Sequence, residues 1–488
     1  MRGKAISWRF FTAGNLVLLC LLLMLITFGC KEKPEEAVSE EQTKEVSGKE
    51  KSEELISEEQ TKQFVFNLDE VSVFDLGEEL ARDFLRGQST FCDNRPRRSP
   101  DKYPAFKSQK PLYGSVRFAG ASTKSKGRGM YHFALDESAG TGNGYDSLYF
   151  DHNCDLDLTN DTPLTSLQNP PKGALLGYPS TEQEVCFESF EVTFDFGSAD
   201  KHAIEIMPRL IISKGGRSEL CFIATKVRKG QIDIGGARYD ALLGYTYSVG
   251  KPIDQAGTAF YLIPKSEPRY PLRWWGADRL NSTHAIGDKY YRFATTPVGD
   301  KLFASPYDGT LGIFEVGAGK RDLKDVSIQG SLRSEDTAVA VGGEMERGWP
   351  KPAKSCQLPV GDYLPAIVTV TFGRLSITVS NNYHADGQGR RSSNLPLIYG
   401  IKIREDKSYV FDFSNKPDVI FATPAKDDRV KLGQELMVKA VLIDPELDIM
   451  IRRLYDTGQK PRRVSLDPKV VITRADGEKV AEGVMPFG

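Results

Sequence analysis

The residues best suited to chemistry in this chain are oxygen-bearing side chains at alternate positions of one short segment. Every second residue offers a carboxylate, amide or hydroxyl oxygen: Asp151, Asn153, Asp155, Asp157, Thr159 and Asp161. Ca²⁺ takes about 6–8 oxygen ligands, and a short loop that curls around the ion supplies several of them. Without a cation, carboxylates this close repel one another. We therefore predict a calcium site with Asp151, Asn153, Asp155, Asp157 and Asp161 as ligands.

This segment resembles the calcium loops of EF-hand and dockerin-type repeats, which follow the pattern Asp-x-Asp/Asn-x-Asp/Asn. Two positions depart from that pattern. Leu156 stands at the sixth position, where the family has Gly, and Thr162 at the twelfth, where it has a bidentate Glu. Asp161 would have to replace that glutamate. The alternative is a solvated strand or turn, since strand side chains also alternate. Nothing in the segment indicates catalysis, so the resemblance implies a structural Ca²⁺.

The beginning of the chain has the features of an export signal. Basic residues come first, and an almost wholly apolar run extends from Leu16 to Phe28. This run has the length of a signal-peptide core and is short for a membrane span. It ends at Gly29-Cys30, which resembles the lipobox of bacterial lipoproteins. In that family the signal, here residues 1–29, is removed and the Cys carries a lipid.

The resemblance implies a lipid on Cys30 and a membrane as partner. The alternatives are a plain secretory signal or an uncleaved anchor, and each of them places the body of the protein outside the cytoplasm. Residues 30–63 contain no aromatic side chain and repeat the hexamer Ser-Glu-Glu-Gln-Thr-Lys at 39–44 and 57–62. Such a segment cannot bury enough apolar surface to offset its ordering entropy. We therefore predict a flexible tether after the anchoring cysteine.

The remainder of the chain is predicted to be mainly β. Short runs of alternating Val, Ile, Tyr and Phe are separated by Gly- and Pro-rich turns, without alternating long helices, which favours several antiparallel β-sandwich domains. The later segments resemble the immunoglobulin-like and carboxypeptidase-regulatory-like sandwiches of exported bacterial proteins. That similarity supplies no activity. The predicted divisions are 64–168, with a short helix and the candidate calcium loop, 169–305, 306–400 and 401–488.

Local patterns predict one helix and three hairpins. A loose helical face indicates a helix between Phe64 and Arg86. The pairs Gly235-Gly236 and Gly287-Asp288 indicate two hairpins that share a frame, and Gly373-Arg374 indicates a third.

The cysteines after Cys30 show no Cys-x-x-Cys pair, which argues against zinc ribbons and thioredoxin-type motifs. Outside the cytoplasm some of them could form disulfides. Cys186 and Cys221 both lie in strand-like runs and are the first candidates for pairing. The alternative is that both are small buried apolar residues.

No sequence motif identifies an enzyme. None of the five histidines has metal-ligand spacing, and no nucleophile elbow, P-loop or dinucleotide fingerprint occurs. His384 and Asp386 read as a hairpin tip. The net charge of −2 gives no general attraction to nucleic acid. Trp274 and Trp275 lie in the densest aromatic stretch, where they could form a weak ligand platform or a core.

We therefore predict a non-enzymatic, lipid-anchored envelope protein that binds or scaffolds an extracytoplasmic partner, a glycan or an envelope protein. The alternative is an extracytoplasmic hydrolase or an ancillary carbohydrate-binding protein with its site near Trp274 and Trp275.

Overall fold

The computed structural model describes thirteen stretches of the chain. These are residues 63–141, 144–196, 201–255, 258–268, 279–317, 319, 325–381, 399–424, 428–429, 434–435, 437–447, 449–458 and 463–487. The predicted signal, the predicted tether up to residue 62, and Cys30, Trp274, Trp275, His384 and Asp386 lie outside these residues. The described residues fall into two units. The larger unit contains the described residues up to Leu466 together with Phe487, and the smaller unit contains Asp467–Pro486.

The larger unit is built almost entirely from strands. In chain order they are β1 (Phe64–Asn67), β2 (Asp69–Ser72), β3 (Gln88–Phe91), β4 (Leu112–Val116), β5 (Tyr131–Asp136), β6 (Ser147–Phe150), β7 (Leu164–Thr165), β8 (Thr181–Cys186), β9 (Phe190–Phe194), β10 (His202–Ser213), β11 (Ser218–Ala224), β12 (Lys226–Ile234), β13 (Ala237–Gly244), β14 (Ala259–Pro264), β15 (His284–Ile286), β16 (Lys289–Thr295), β17 (Lys301–Pro306), β18 (Leu311–Gly317), β19 (Val326–Arg333), β20 (Ala338–Val341), β21 (Met345–Glu346), β22 (Trp349–Pro350), β23 (Ser355–Pro359), β24 (Gly361–Phe372), β25 (Leu375–Ser380), β26 (Ile401–Ile403), β27 (Tyr409–Asp412), β28 (Asp418–Thr423), β29 (Lys439–Asp444), β30 (Ile449–Asp456) and β31 (Val464–Ser465). Between β2 and β3 lie a 3-10 turn (Val73–Asp75) and the helix α1 (Glu78–Phe84).

The strands before β18 form four sheets. Their strand orders are β1-β17-β16-β15, β14-β13-β12-β2, β4-β5-β6-β7, and β3-β11-β10-β8 with β9 also on β10. Phenylalanines at the centre of one continuous core, among them Phe133, Phe150 and Phe222, are fully buried. Some of these sheets are buried on both faces: in β13, Ala241 and Leu243 belong to this core, whereas Leu242 belongs to a second buried cluster.

The later strands form a three-stranded sheet and a nine-stranded sheet. The first has the order β23-β18-β27. The second has the order β20-β19-β24-β25-β30-β29-β28, with β26 on β24 and β31 on β30. A separate buried cluster that includes Phe314, Val368 and Phe411 fills the space beneath them. The chain is thus mainly β with several antiparallel sheets, as predicted.

The smaller unit contains a single described hairpin. Its strands are β32 (Lys469–Thr473) and β33 (Lys479–Val484), which pair in antiparallel register with Val470 opposite Gly483.

The predicted hairpins form at the predicted turns. Ile234 pairs with Ala237 across Gly235 and Gly236, which both have positive φ, at 60° and 74°. Ile286 pairs with Lys289, and Phe372 with Leu375, across the other two turns. A two-residue turn with positive φ matches the twist of the strands it joins, and Gly adopts that conformation without steric cost.

The prediction of a helix between Phe64 and Arg86 is wrong for most of that range, since only Glu78–Phe84 is α-helical. Phe64 and Phe66 are half-buried while Val65 and Asn67 are exposed, which is the two-residue period of a strand. The first strand, β1, is fixed by pairing with the distant β17, a tertiary contact that overrides the local pattern.

The predicted pairing of Cys186 with Cys221 is also corrected, because both are free thiols. Each lies opposite Arg209, Cys186 on β8 and Cys221 on β11, with β10 between them. Two strand spacings separate them by about 10 Å, whereas a disulfide needs Cα atoms within roughly 7 Å. Burial raises the pKa of each thiol to about 11, so both remain protonated.

Arg209 is a buried cation that joins several elements. Its side chain is 1% exposed and donates hydrogen bonds to the carbonyl oxygens of Ala174 at 2.8 Å and Leu85 at 2.9 Å. The guanidinium Nε lies 3.4 Å from Glu184 Oε1 in an ion pair. Glu184 in turn accepts hydrogen bonds from the backbone N–H groups of Leu176 and Gly177. One buried ion pair therefore ties the end of α1 and the 174–177 segment to the sheet.

Candidate metal centre

The predicted calcium segment forms a loop of turns between β6 and β7. Phe150, the last residue of β6, is buried in the core, and the backbone N–H of Asp151 extends the sheet by donating to His132 O at 2.9 Å. Leu158 is also fully buried, beside Tyr113 and Ala134. Phe150 anchors the start of the loop in one core, and Leu158 anchors it between Asp157 and Thr159 in another. Of the alternative prediction, a solvated strand or turn, the strand is wrong, because residues 151–161 form turns and bends with one isolated bridge at Asp157.

Asp151 organises the loop from its interior. Its side chain is 0% exposed. One carboxylate oxygen accepts a hydrogen bond from the backbone N–H of Asp155 at 3.0 Å, and the other from Leu156 at 3.1 Å. Burial raises the pKa of Asp151 despite these hydrogen bonds.

The next oxygen-bearing residues close a series of short turns. Asn153, Asp155 and Asp157 each accept a hydrogen bond from the backbone N–H two residues further on, at 2.9, 2.9 and 3.0 Å. Side chains that bond their own backbone in this way favour turns over strands. Because these residues alternate, the segment curls into a loop. One side-chain oxygen of each residue is hydrogen-bonded to the backbone.

Leu156 adopts the conformation that the EF-hand pattern assigns to Gly. Its φ is 68°, and that of the nearby Cys154 is 53°. A left-handed conformation costs a non-glycine residue roughly 1–2 kcal/mol. The hydrogen bond from the Leu156 N–H to the buried Asp151 helps to offset that cost. The sharp turn at the sixth position is thus present without glycine.

Asp161 closes the loop with one unpaired oxygen. Oδ1 accepts a hydrogen bond from the His152 N–H at 3.3 Å, whereas Oδ2 is buried and has no hydrogen-bond partner among the described residues. Burial raises the pKa of Asp161 to about 6, and repulsion from the carboxylates of Asp151, Asp155 and Asp157 adds to the shift. The predicted acidic ligands are therefore close enough for their charges to interact.

Lys102 is also part of this site, although no sequence motif distinguishes it from the neighbouring lysines, such as Lys107 and Lys110. Its Nζ lies 2.5 Å from Asp157 Oδ2. That hydrogen bond lowers the pKa of Asp157 to about 2. The backbone of Lys102 is also paired with the loop, since the Leu158 N–H donates to Lys102 O at 3.1 Å. The ammonium group neutralises one of the acidic charges.

The arrangement is not a closed coordination shell. No group of three or more His, Cys, Asp or Glu side chains is arranged to hold a metal ion within the part of the chain that the structure describes. Asp155 Oδ2 accepts hydrogen bonds from the amide groups of Asn153 at 3.2 Å and Asn160 at 2.8 Å. A cation would have to replace these amide contacts and compete with Lys102.

No protein family, curated protein or solved structure matches this chain. Within the described residues, no helix is both long and apolar enough to cross a membrane. The weaker predicted ligand platform at Trp274 and Trp275 falls outside those residues, as does the lipidation site at Cys30.

Proposed function

We propose that this chain is a lipid-anchored envelope protein, held to a membrane through Cys30, whose β-rich body binds or scaffolds an extracytoplasmic ligand. The observation that carries the proposal is the apolar run from Leu16 to Phe28 that ends at Gly29-Cys30. A charged segment of the kind found in tethers follows directly, at residues 30–63. As a flexible coil it would span on the order of 30 Å, enough to separate the body from the lipid surface.

Labelling with an alkyne-bearing fatty acid in a bacterial host tests the anchor. We expect the full chain to be labelled and to remain with the membrane fraction. Cys30→Ala should lose the label, whereas Cys20→Ala, a matched change within the apolar run, should keep it. An unlabelled parent chain, or equal labelling of Cys30→Ala, would contradict the proposal.

The Asp151–Asp161 loop holds a structural Ca²⁺ in this proposal. The observation that supports it is the buried, unpartnered Oδ2 of Asp161, surrounded by the charges of three further carboxylates. The positive φ at Leu156 adds the turn that such loops require. A divalent cation would remove the repulsion that raises the pKa of Asp161. Asp151, Asn153, Asp155, Asp157 and Asp161 are the proposed ligands.

Calorimetric titration of the full chain with CaCl₂, together with thermal melting in Ca²⁺ and in chelator, tests this site. We expect saturable binding of one Ca²⁺ and a higher melting temperature, because a ligand at 100 times its Kd stabilises the folded state by about 2.7 kcal/mol. Asp161→Asn should abolish both effects and leave the melting temperature in chelator no lower, since it removes a repelled charge. Asp233→Asn, a change of an exposed carboxylate, is the control. Absence of binding to the parent chain would refute the site.

A further inference from the structure

A groove crosses the outer face of the nine-stranded sheet, on the side opposite the core formed by Val368, Val370 and Val379. Its volume is about 370 Å³. The side chains that line it come from β19, β22, β24, β25 and β30, and from the residue before β31. Its floor is a set of neighbouring strands, so its shape is set by the fold.

Four polar side chains form a straight row along the floor of the groove. Gln329 lies opposite Thr369, Thr369 opposite Thr378, and Thr378 opposite Arg453. Directly opposed residues in antiparallel strands point to the same face. Three strand spacings give the row a length of about 14 Å. The two threonine hydroxyl oxygens lie 3.2 Å apart, which orients them side by side.

An aromatic side chain stands near each end of this row. Trp349 on β22 is 41% exposed and lines the groove next to Gln329 on β19. Tyr455 lies on β30, two residues from Arg453 and on the same face. A large exposed indole on a polar sheet face contributes little to folding, and aromatic faces are suited to stacking on the C–H faces of sugar rings.

The charge of the groove has one sign. Arg453 and Arg463 both line it and are both exposed, and neither forms an ion pair among the described residues. None of the described residues that line the groove is acidic. Planar guanidinium groups recognise carboxylate and sulfate oxygens through paired hydrogen bonds.

We propose that this groove binds an acidic polysaccharide, with Trp349 and Tyr455 stacking on sugar rings and Arg453 and Arg463 pairing with carboxylate or sulfate groups. Gln329, Thr369 and Thr378 supply hydrogen-bond donors and acceptors for sugar hydroxyl groups. An elongated polar row with aromatic groups at its ends fits an extended sugar chain. It does not fit an apolar peptide, since Ile367 is the one aliphatic side chain among the described residues that line it. The inference rests on the proposed binding function and names its ligand class.

Binding of the full chain, purified in mild detergent, to defined oligosaccharides tests the inference by calorimetry. The probes are an oligogalacturonate for carboxylates, a heparin oligosaccharide for sulfates and a galacto-oligosaccharide as the neutral partner. We expect saturable binding to at least one acidic probe and none to the neutral one. The affinity should fall as salt is raised, since the charges are solvent-exposed. The stronger of the two acidic probes identifies the anionic group.

Substitutions inside and outside the groove test whether the acidic oligosaccharide binds there. Trp349→Ala and Arg453→Gln should each weaken binding by about tenfold, as expected for the loss of a stacking platform or a charge-assisted hydrogen bond. Tyr247→Ala and Arg95→Gln remove an exposed aromatic ring and an exposed arginine elsewhere, and they should bind like the parent chain. Circular dichroism and melting temperature verify that each variant is folded.

Three results would overturn the inference. They are absence of binding to both acidic probes, unchanged binding in the two groove variants, and equally tight binding of single-stranded DNA or phosphatidylglycerol vesicles. If any of these results were obtained with a chain that is still labelled at Cys30, the glycan ligand would be refuted, whereas the proposed lipid anchor would not. Loss of the Cys30 label with glycan binding intact would refute the anchor alone.

Discussion

At the scale of single residues, burial decides the protonation of His284. Its side chain is 0% exposed and packs against the rings of Phe260 and Phe293, at centroid distances of 5.5 and 5.3 Å. Desolvation lowers the pKa of His284 to about 3. The imidazole is therefore neutral in the folded protein at any pH near neutrality, whereas an unfolded chain would take up a proton near pH 6.5.

This difference predicts a loss of stability in mild acid. As the pH falls below about 6.5 the unfolded state binds the proton and the folded state does not, so the free energy of unfolding decreases. We expect His284→Phe to flatten this dependence between pH 7 and pH 5. Urea unfolding at several pH values measures it. Parallel pH curves for the parent chain and the variant would show that His284 is not responsible.

Lys102 gives a second prediction at this scale. Because its ammonium group holds Asp157, it competes with any cation in the loop. Lys102→Met should therefore tighten Ca²⁺ binding by up to about fivefold, the range of an exposed ion pair. Lys107→Met, which removes an exposed charge outside the loop, is the control. Weaker Ca²⁺ binding in Lys102→Met would exclude Asp157 as a ligand.

The turns of the candidate loop were predictable from sequence, whereas its electrostatics were not. Alternate Asp and Asn residues are a local pattern, and the turns they form depend on neighbours two residues away. Lys102 reaches the loop from more than fifty positions earlier in the chain. No local pattern distinguishes one lysine of a basic loop from the next, so its pairing with Asp157 could not be inferred.

At the scale of elements, the hairpins were predictable and the pairing of distant strands was not. Gly235-Gly236 specifies both a turn and the register of the strands beside it. The partners β1 and β17 are separated by about half the length of the chain, since Phe64 lies opposite Ala304. No local sequence pattern encodes that pairing. The prediction of a helix is therefore wrong where β1 and β2 form.

The buried ion pair between Arg209 and Glu184 gives the prediction at this scale. Arg209→Met should lower the free energy of unfolding by about 3–5 kcal/mol, because it leaves a buried carboxylate unpaired and frees two carbonyl oxygens. Arg238→Met, which breaks the exposed pair with Asp233, should leave the urea midpoint within error. Equal midpoints for the two variants would contradict the structural role of Arg209.

At the scale of the whole molecule, the nine-stranded sheet presents one face to a core and leaves part of the other face open as the groove. In the nine-stranded sheet the valines of β24 point inwards, and Thr369 and its neighbours line the outer groove. The predicted β class follows from this alternation. The position of the groove follows from strand order, which the sequence pattern does not reveal. In the proposed function, this face holds a ligand near the membrane.

The central proposal is that the chain is processed and lipid-modified at Cys30, and the intact mass of the membrane-derived protein tests it most directly. We predict a mass equal to that of residues 30–488 plus a lipid group, with the lipid assigned to Cys30 by fragmentation. Cys30→Ala should not carry that group. A protein of 54.2 kDa without modification, recovered from the soluble cytoplasmic fraction, would contradict the proposal.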